Sequence, residues 1–210
     1  MSSRSLVIAL LVAALGLSLL AGTYERLPGD LWLARQAQDT GGWFEPVAKA
    51  ARAVTATQTV IVLGVAIAGA AFWRGEGQLA AVAAMAIVAL PFLQSSLKNV
   101  VGRPRPDGGL VERRDIFTSE SFPSGHTMSG TVLFILVAAA AVALIPEGRV
   151  RLVAISIAAT ILAVSMAGDL YLGMHWPSDV AGGVLWACVL AGGACWLTAR
   201  VWPRIPSPEA

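Results

Sequence analysis

Six long apolar runs constrain this chain more than any other feature. They cover residues 6–22, 58–73, 79–97, 127–145, 152–168 and 180–202. A helix that crosses a bilayer needs roughly 20 mostly apolar residues. Lipid offers backbone N–H and C=O groups no partner, so each run must satisfy its own hydrogen bonds. Helix is therefore the expected form of every run. Composition agrees: 56% of the 210 residues are hydrophobic and 13% are charged, against about 25% charged in a soluble domain. The expected fold is all-α, an integral-membrane bundle of six transmembrane helices forming one domain over residues 1–210. The first run follows Arg4 and ends near Ala21-Gly22, the outline of a secretory signal. Its apolar part is long for a signal, so it reads as a retained helix.

The stretch 23–52 differs in kind. Trp32, Trp43 and Phe44 alternate with Asp30, Arg35, Asp39, Glu45, Lys49 and Arg52, and Gly41-Gly42 divides it into two short helical pieces. Aromatic residues mixed with charge suit the bilayer interface. The expectation is an interfacial amphipathic segment, with a substrate-access or lid element as the sharper alternative. The net charge is only +2, and no basic stripe of the kind nucleic acid requires is present. Cys188 and Cys195, seven apart on one helix, stand roughly 10 Å from each other. A disulfide cannot span that distance, so they read as small buried apolar residues.

Six crossings put both termini on one side of the membrane. The loops after the first, third and fifth runs then share the other side. The terminal side carries Arg4, Arg74, Arg149, Arg151, Arg200 and Arg204 in short segments, which favours cytoplasmic termini and an external or periplasmic face for the other loops. A multi-pass protein of the plasma (inner) membrane is expected.

Three polar clusters lie on that second side. The first is Lys98-Asn99-Val100-Val101-Gly102-Arg103-Pro104-Arg105-Pro106. Its prolines keep the arginines out of a helix, and fixed guanidinium groups grip phosphate oxygens in pairs while lysine adds a point charge. The second is Ser121-Phe122-Pro123-Ser124-Gly125-His126, directly before an apolar run. Ser124 can cap that helix and Gly125 lets a ligand approach the backbone, so a helix start with free N–H groups offers an anion site beside His126. The third joins His175 to Asp179, four residues on. A carboxylate on one imidazole nitrogen fixes the tautomer and leaves the other nitrogen free to attack. These are the only two histidines. One nucleophile and one general acid acting on a phosphate ester need two, with cations stabilising the transferring phosphoryl group. No metal or other cofactor is called for, since the histidine pair lacks the further ligands of a metal site.

These residues resemble the type 2 phosphatidic acid phosphatase superfamily. Its first motif, Lys, six residues, Arg-Pro, matches Lys98 through Arg105-Pro106; its second, Pro-Ser-Gly-His, matches Pro123 to His126; the later half of its third matches His175 and Asp179. The resemblance implies a metal-independent membrane lipid phosphatase acting on phosphatidate, phosphatidylglycerophosphate or a polyprenyl pyrophosphate through a phosphohistidine intermediate. It implies His175 as nucleophile, Asp179 as its orienting partner and His126 as general acid. Lys98, Arg105, Ser124 and Gly125 would bind phosphate. Its partners would be a lipid substrate and the bilayer.

One position departs from the pattern. The Ser-Arg pair that opens the third motif falls on Gly168-Asp169, and no basic residue lies between Arg151 and Arg200. An anion stands where a phosphate-binding cation is expected. Either another cation, Arg103, Arg113 or Arg114, takes the role with Asp169 holding it in a salt bridge, or Asp169 meets a different group on an atypical substrate, or the protein binds lipid phosphate without turnover. A lipid phosphotransferase would use the same residues.

Overall fold

The computed structural model describes residues 3–116 and 118–201. The described residues form eight helices and no strand: α1 (Ser3–Thr23), α2 (Asp30–Gln38), α3 (Phe44–Thr55), α4 (Thr57–Trp73), α5 (Gly77–Val101), α6 (Gly125–Leu144), α7 (Arg149–Tyr171) and α8 (Pro177–Val201). The end of the sixth run at Trp202, and Arg204, lie outside the described residues. Helices α1, α5, α6, α7 and α8 are each long and apolar enough to cross a membrane.

The second run is the exception to the expected count. Helix α4 has 17 residues, about 25 Å at 1.5 Å per residue, short of the roughly 30 Å hydrocarbon layer. It meets the requirement only together with α3, from which it is bent by 50°. Among the described residues five helices are thus long and apolar enough to span, or six spans result when the bent α3–α4 pair counts as one. Ala56, with φ −58° and ψ 139°, breaks the helix between them.

The interfacial stretch divides into two helices at Gly41-Gly42, as the glycines imply. Helix α3 is not a surface ornament, however. Phe44, Ala48, Ala51, Arg52 and Thr55 are buried along one stripe, and the stripe packs on α7. Without a hydrophobic driving force between helices in lipid, close packing depends on small residues. Gly168 on α7 is one such contact: a Cβ there would stand 3.0 Å from the Ala48 Cβ. Gly183 on α8 is another, because a Cβ would meet the Ser124 carbonyl oxygen at 2.9 Å. These two approaches draw α3 onto α7 and α8 onto the start of α6. The main apolar core lies deeper, among Val60, Ala83, Leu90, Met128, Val132 and Leu136. The two cysteines are not fully buried: Cys188 is half-buried and Cys195 exposed. A lipid-facing helix surface tolerates an apolar thiol as readily as a core does.

Candidate active site

One end of the bundle gathers the ends of α3, α5 and α7 and the starts of α6 and α8. Ser124 caps α6, its hydroxyl accepting the Thr127 N–H at 3.2 Å. Lys98 lies in the last turn of α5. Gly102 then turns the chain with φ 62°, a conformation glycine adopts without steric cost, and the proline-spaced arginines follow. His175 stands just ahead of α8, and Asp179 in its first turn. The pair spans the helix start and does not share one continuous helical face.

A cavity of about 310 Å³ opens at this end, with Arg52, Lys98, Arg105, Gly125, His126 and His175 in its wall. All three motif clusters contribute. Arg105 is held from several sides: Nε donates to the Ser119 carbonyl at 2.7 Å and a terminal nitrogen donates to the Met174 carbonyl at 2.7 Å. The same nitrogen lies 3.2 Å from His175 Nε2. Arginine has no lone pair to accept with, so this contact makes Nε2 the acceptor and assigns the ring proton to Nδ1. Lys98 donates to the Glu120 carbonyl.

His175 Nδ1 faces Asp179 Oδ2 at 3.6 Å, an electrostatic contact longer than a hydrogen bond. Asp179 is itself fixed. Its Oδ2 accepts from the Ser121 hydroxyl at 2.5 Å and the Trp176 N–H at 2.8 Å, and its Oδ1 accepts from Arg103 at 2.6 Å. Burial pushes the His175 imidazole below its ordinary pKa, with the neighbouring Asp179 and Asp169 carboxylates opposing. Burial likewise lowers Arg105, although a guanidinium stays charged. The outcome is a neutral imidazole with the Arg105 cation beside its Nε2.

The remaining sequence-derived candidates separate. Ser124 lies behind the wall, fully buried, and donates its hydroxyl to Asp169. Arg103 is also buried, behind Asp179 and away from the cavity, paired with Asp30 at 2.9 Å. Arg114 stacks over Tyr171 at 4.0 Å and pairs with Glu112 at 2.6 Å. It belongs to the wall of a separate outer groove, and Arg113 is absent from the 310 Å³ cavity wall. None of the three pairs with Asp169. Its cationic partner is Arg52 of α3, while the Ser124 and Thr127 hydroxyls donate to its other oxygen. The salt bridge expected of Asp169 exists, and its partner comes from the interfacial segment.

Arg52, Thr127, Ser121 and Asp30 are site residues that the motifs leave out. Asp30 accepts from Arg103, from the Ser178 N–H at 3.0 Å and from the Ser178 hydroxyl at 2.7 Å, so α2 braces the start of α8. The sequence held one signal for Arg52, its place as the last cation of a charged stretch before an apolar run. Its facing was not encoded there. Among the described residues no group of three or more His, Cys, Asp and Glu side chains could hold a metal ion.

The PAP2 superfamily model matches residues 79–203. No curated protein matches the chain. Among solved structures, the first transmembrane PAP2 type phosphatidylglycerolphosphate phosphatase from Bacillus subtilis is similar in fold. Its TM-score is 0.75 at 22% sequence identity, with 97% of this chain and 98% of that one covered.

Proposed function

Given that the chain belongs to the PAP2 superfamily, we propose that it hydrolyses the phosphate ester of a membrane lipid through a phosphohistidine at His175. The observation that carries this reading is the shared cavity: His175, His126, Lys98 and Arg105 line one volume at the end of a membrane bundle. His175 Nε2 attacks the terminal phosphorus as its bond to the bridging oxygen breaks, and His126 gives its proton to that departing oxygen, which belongs to an alkoxide in a monoester and to a lipid monophosphate in a pyrophosphate. Nδ1–H turns toward Asp179, which stabilises the positive imidazole as it forms. Water then attacks the phosphohistidine with His126 accepting its proton, and phosphate leaves. Lys98 and Arg105 offset charge on the phosphoryl oxygens throughout. The reaction runs without a metal ion, in keeping with a wall whose cations repel one.

The substrate class is a lipid phosphate such as phosphatidylglycerophosphate, phosphatidate or a polyprenyl pyrophosphate. The first of these is the compound named for the similar Bacillus subtilis structure. Binding without turnover loses its main motive, because Arg52 neutralises the Asp169 charge that suggested it. The arginines of the terminal side favour a site facing outward from the cytoplasm. The test is phosphate release from these lipids by purified protein in detergent, with chelator present. Release from at least one is expected. No release from any, by folded protein, removes the proposal.

A further inference from the structure

Helix α3 is fixed at three points around Arg52. Phe44 meets the Tyr171 ring edge-on at 5.2 Å. Ala48 lies against Gly168, where a Cβ would come within 3.0 Å. Thr55 and Ser165 share a hydrogen bond of 2.6 Å. Arg52 stands between these anchors, one turn beyond Ala48, as Asp169 stands one residue beyond Gly168. The two residues that break the family pattern thus serve one purpose. Gly168 admits α3, and Asp169 takes the cation that α3 brings.

The ion pair alone does not explain why Arg52 lines the cavity. Asp169 is fully inaccessible to solvent and Arg52 is 5% exposed. Yet Arg52 contributes to the wall of the 310 Å³ cavity, whereas Asp169 does not. The same wall carries Lys98 and Arg105. Three cations around so small a volume repel one another, and the Arg52 charge is among those that lower Arg105. A cation needed only to neutralise Asp169 gains nothing from facing two others. An anion in the cavity reverses the balance, since all three then attract it.

We propose that Arg52 is a phosphate-binding residue, delivered to the cavity by α3 and held by Asp169 on α7. The inference rests on reading the cavity as a phosphate site. It restores to the shell the cation that the Gly168-Asp169 departure removes from α7. It also makes the interfacial segment part of the binding site: undocking α3 withdraws a phosphate ligand.

The test measures binding of inorganic phosphate to the full chain in detergent by calorimetry, beside lipid phosphatase assays. The informative variant is Arg52→Met with Asp169→Asn, which removes both charges and leaves no buried ion unpaired. If Arg52 binds phosphate, the double variant binds about tenfold more weakly or worse while folded. If the pair is only structural, its affinity equals wild type and the inference is overturned. Should the double variant not fold, Arg52→Lys carries the test, because it retains the ion pair but loses the planar two-pronged grip. A loss of about threefold or more is expected, and unchanged affinity overturns the inference. Arg52-dependent phosphate binding without lipid turnover removes the phosphatase reading alone. No phosphate binding by wild type that still releases phosphate from lipid overturns the inference alone, and neither binding nor release overturns both.

Discussion

Arg103 and Asp179 form an ion pair at 2.6 Å, and solvent reaches neither side chain. A second carboxylate, Asp30, closes on the same guanidinium at 2.9 Å. Asp179 is thus held from behind while its other oxygen faces His175. The pair links α2, the loop after α5 and the start of α8 directly behind the proposed nucleophile.

Breaking that clasp leaves two buried carboxylates without their cation. Loss of one partner of a buried pair costs about 3–5 kcal/mol. Arg103→Met is therefore expected to lower Tm by about 6 °C or more. Thermal unfolding in detergent reads this directly, and a Tm equal to wild type would refute the structural role of Arg103.

The nucleophile assignment predicts a trapped intermediate. Wild-type protein given a lipid phosphate labelled in its phosphoryl group should yield acid-labile, base-stable label on the chain. His175→Ala should carry none and show no turnover. Asp179→Asn should retain KM while kcat falls by about 10²- to 10⁴-fold, because the imidazole loses its orienting charge. Label persisting in His175→Ala would move the nucleophile elsewhere.

Burial holds the His175 pKa below its ordinary 6.5, and two consequences follow. The imidazole stays neutral and nucleophilic below pH 6.5, so the acid limb of kcat/KM due to His175 falls under that value. For stability, the unfolded chain binds the proton more readily than the folded one. Stability from this group is complete above pH 6.5 and is lost as pH falls from there toward the lowered pKa. His175→Gln should flatten that acid-side slope in unfolding experiments below pH 6.5. An identical slope would show that other groups govern it.

The α3–α7 contact predicts a steric outcome. Gly168→Val adds bulk where even a Cβ stands 3.0 Å from Ala48. Overpacking of this kind costs about 1–3 kcal/mol, and relief requires α3 to move away. Both Tm and lipid phosphatase activity should fall. Gly16 provides the control, because a Cβ added there would meet nothing within 4 Å: Gly16→Ala should leave both unchanged. Equal behaviour of the two variants would count against the tight approach.

Much of this architecture is readable along the chain. The apolar runs announce their helices because length and composition are local properties. The division of the interfacial segment at Gly41-Gly42 is local too, as is the Ser124 cap. The motif residues His126, His175, Lys98 and Arg105 converge as their order and shared membrane side imply. The second span reads less well: α4 is too short alone, and only the bend at Ala56 joins it to α3. The facing of α3 was legible only as an amphipathic stripe, which suits lipid headgroups as well as another helix.

The helical membrane fold and the two-histidine site are written along the chain, because apolar run length and motif spacing act over a few residues. The cation that answers Asp169 is chosen by tertiary packing. Arg103, Arg113 and Arg114 all fit by charge. Arg52 takes the position because α3 docks against Gly168, joining residues 117 apart in the chain. Charge is a property of the residue, but the direction a charged side chain faces depends on how one helix is rotated against another. That rotation is set by packing.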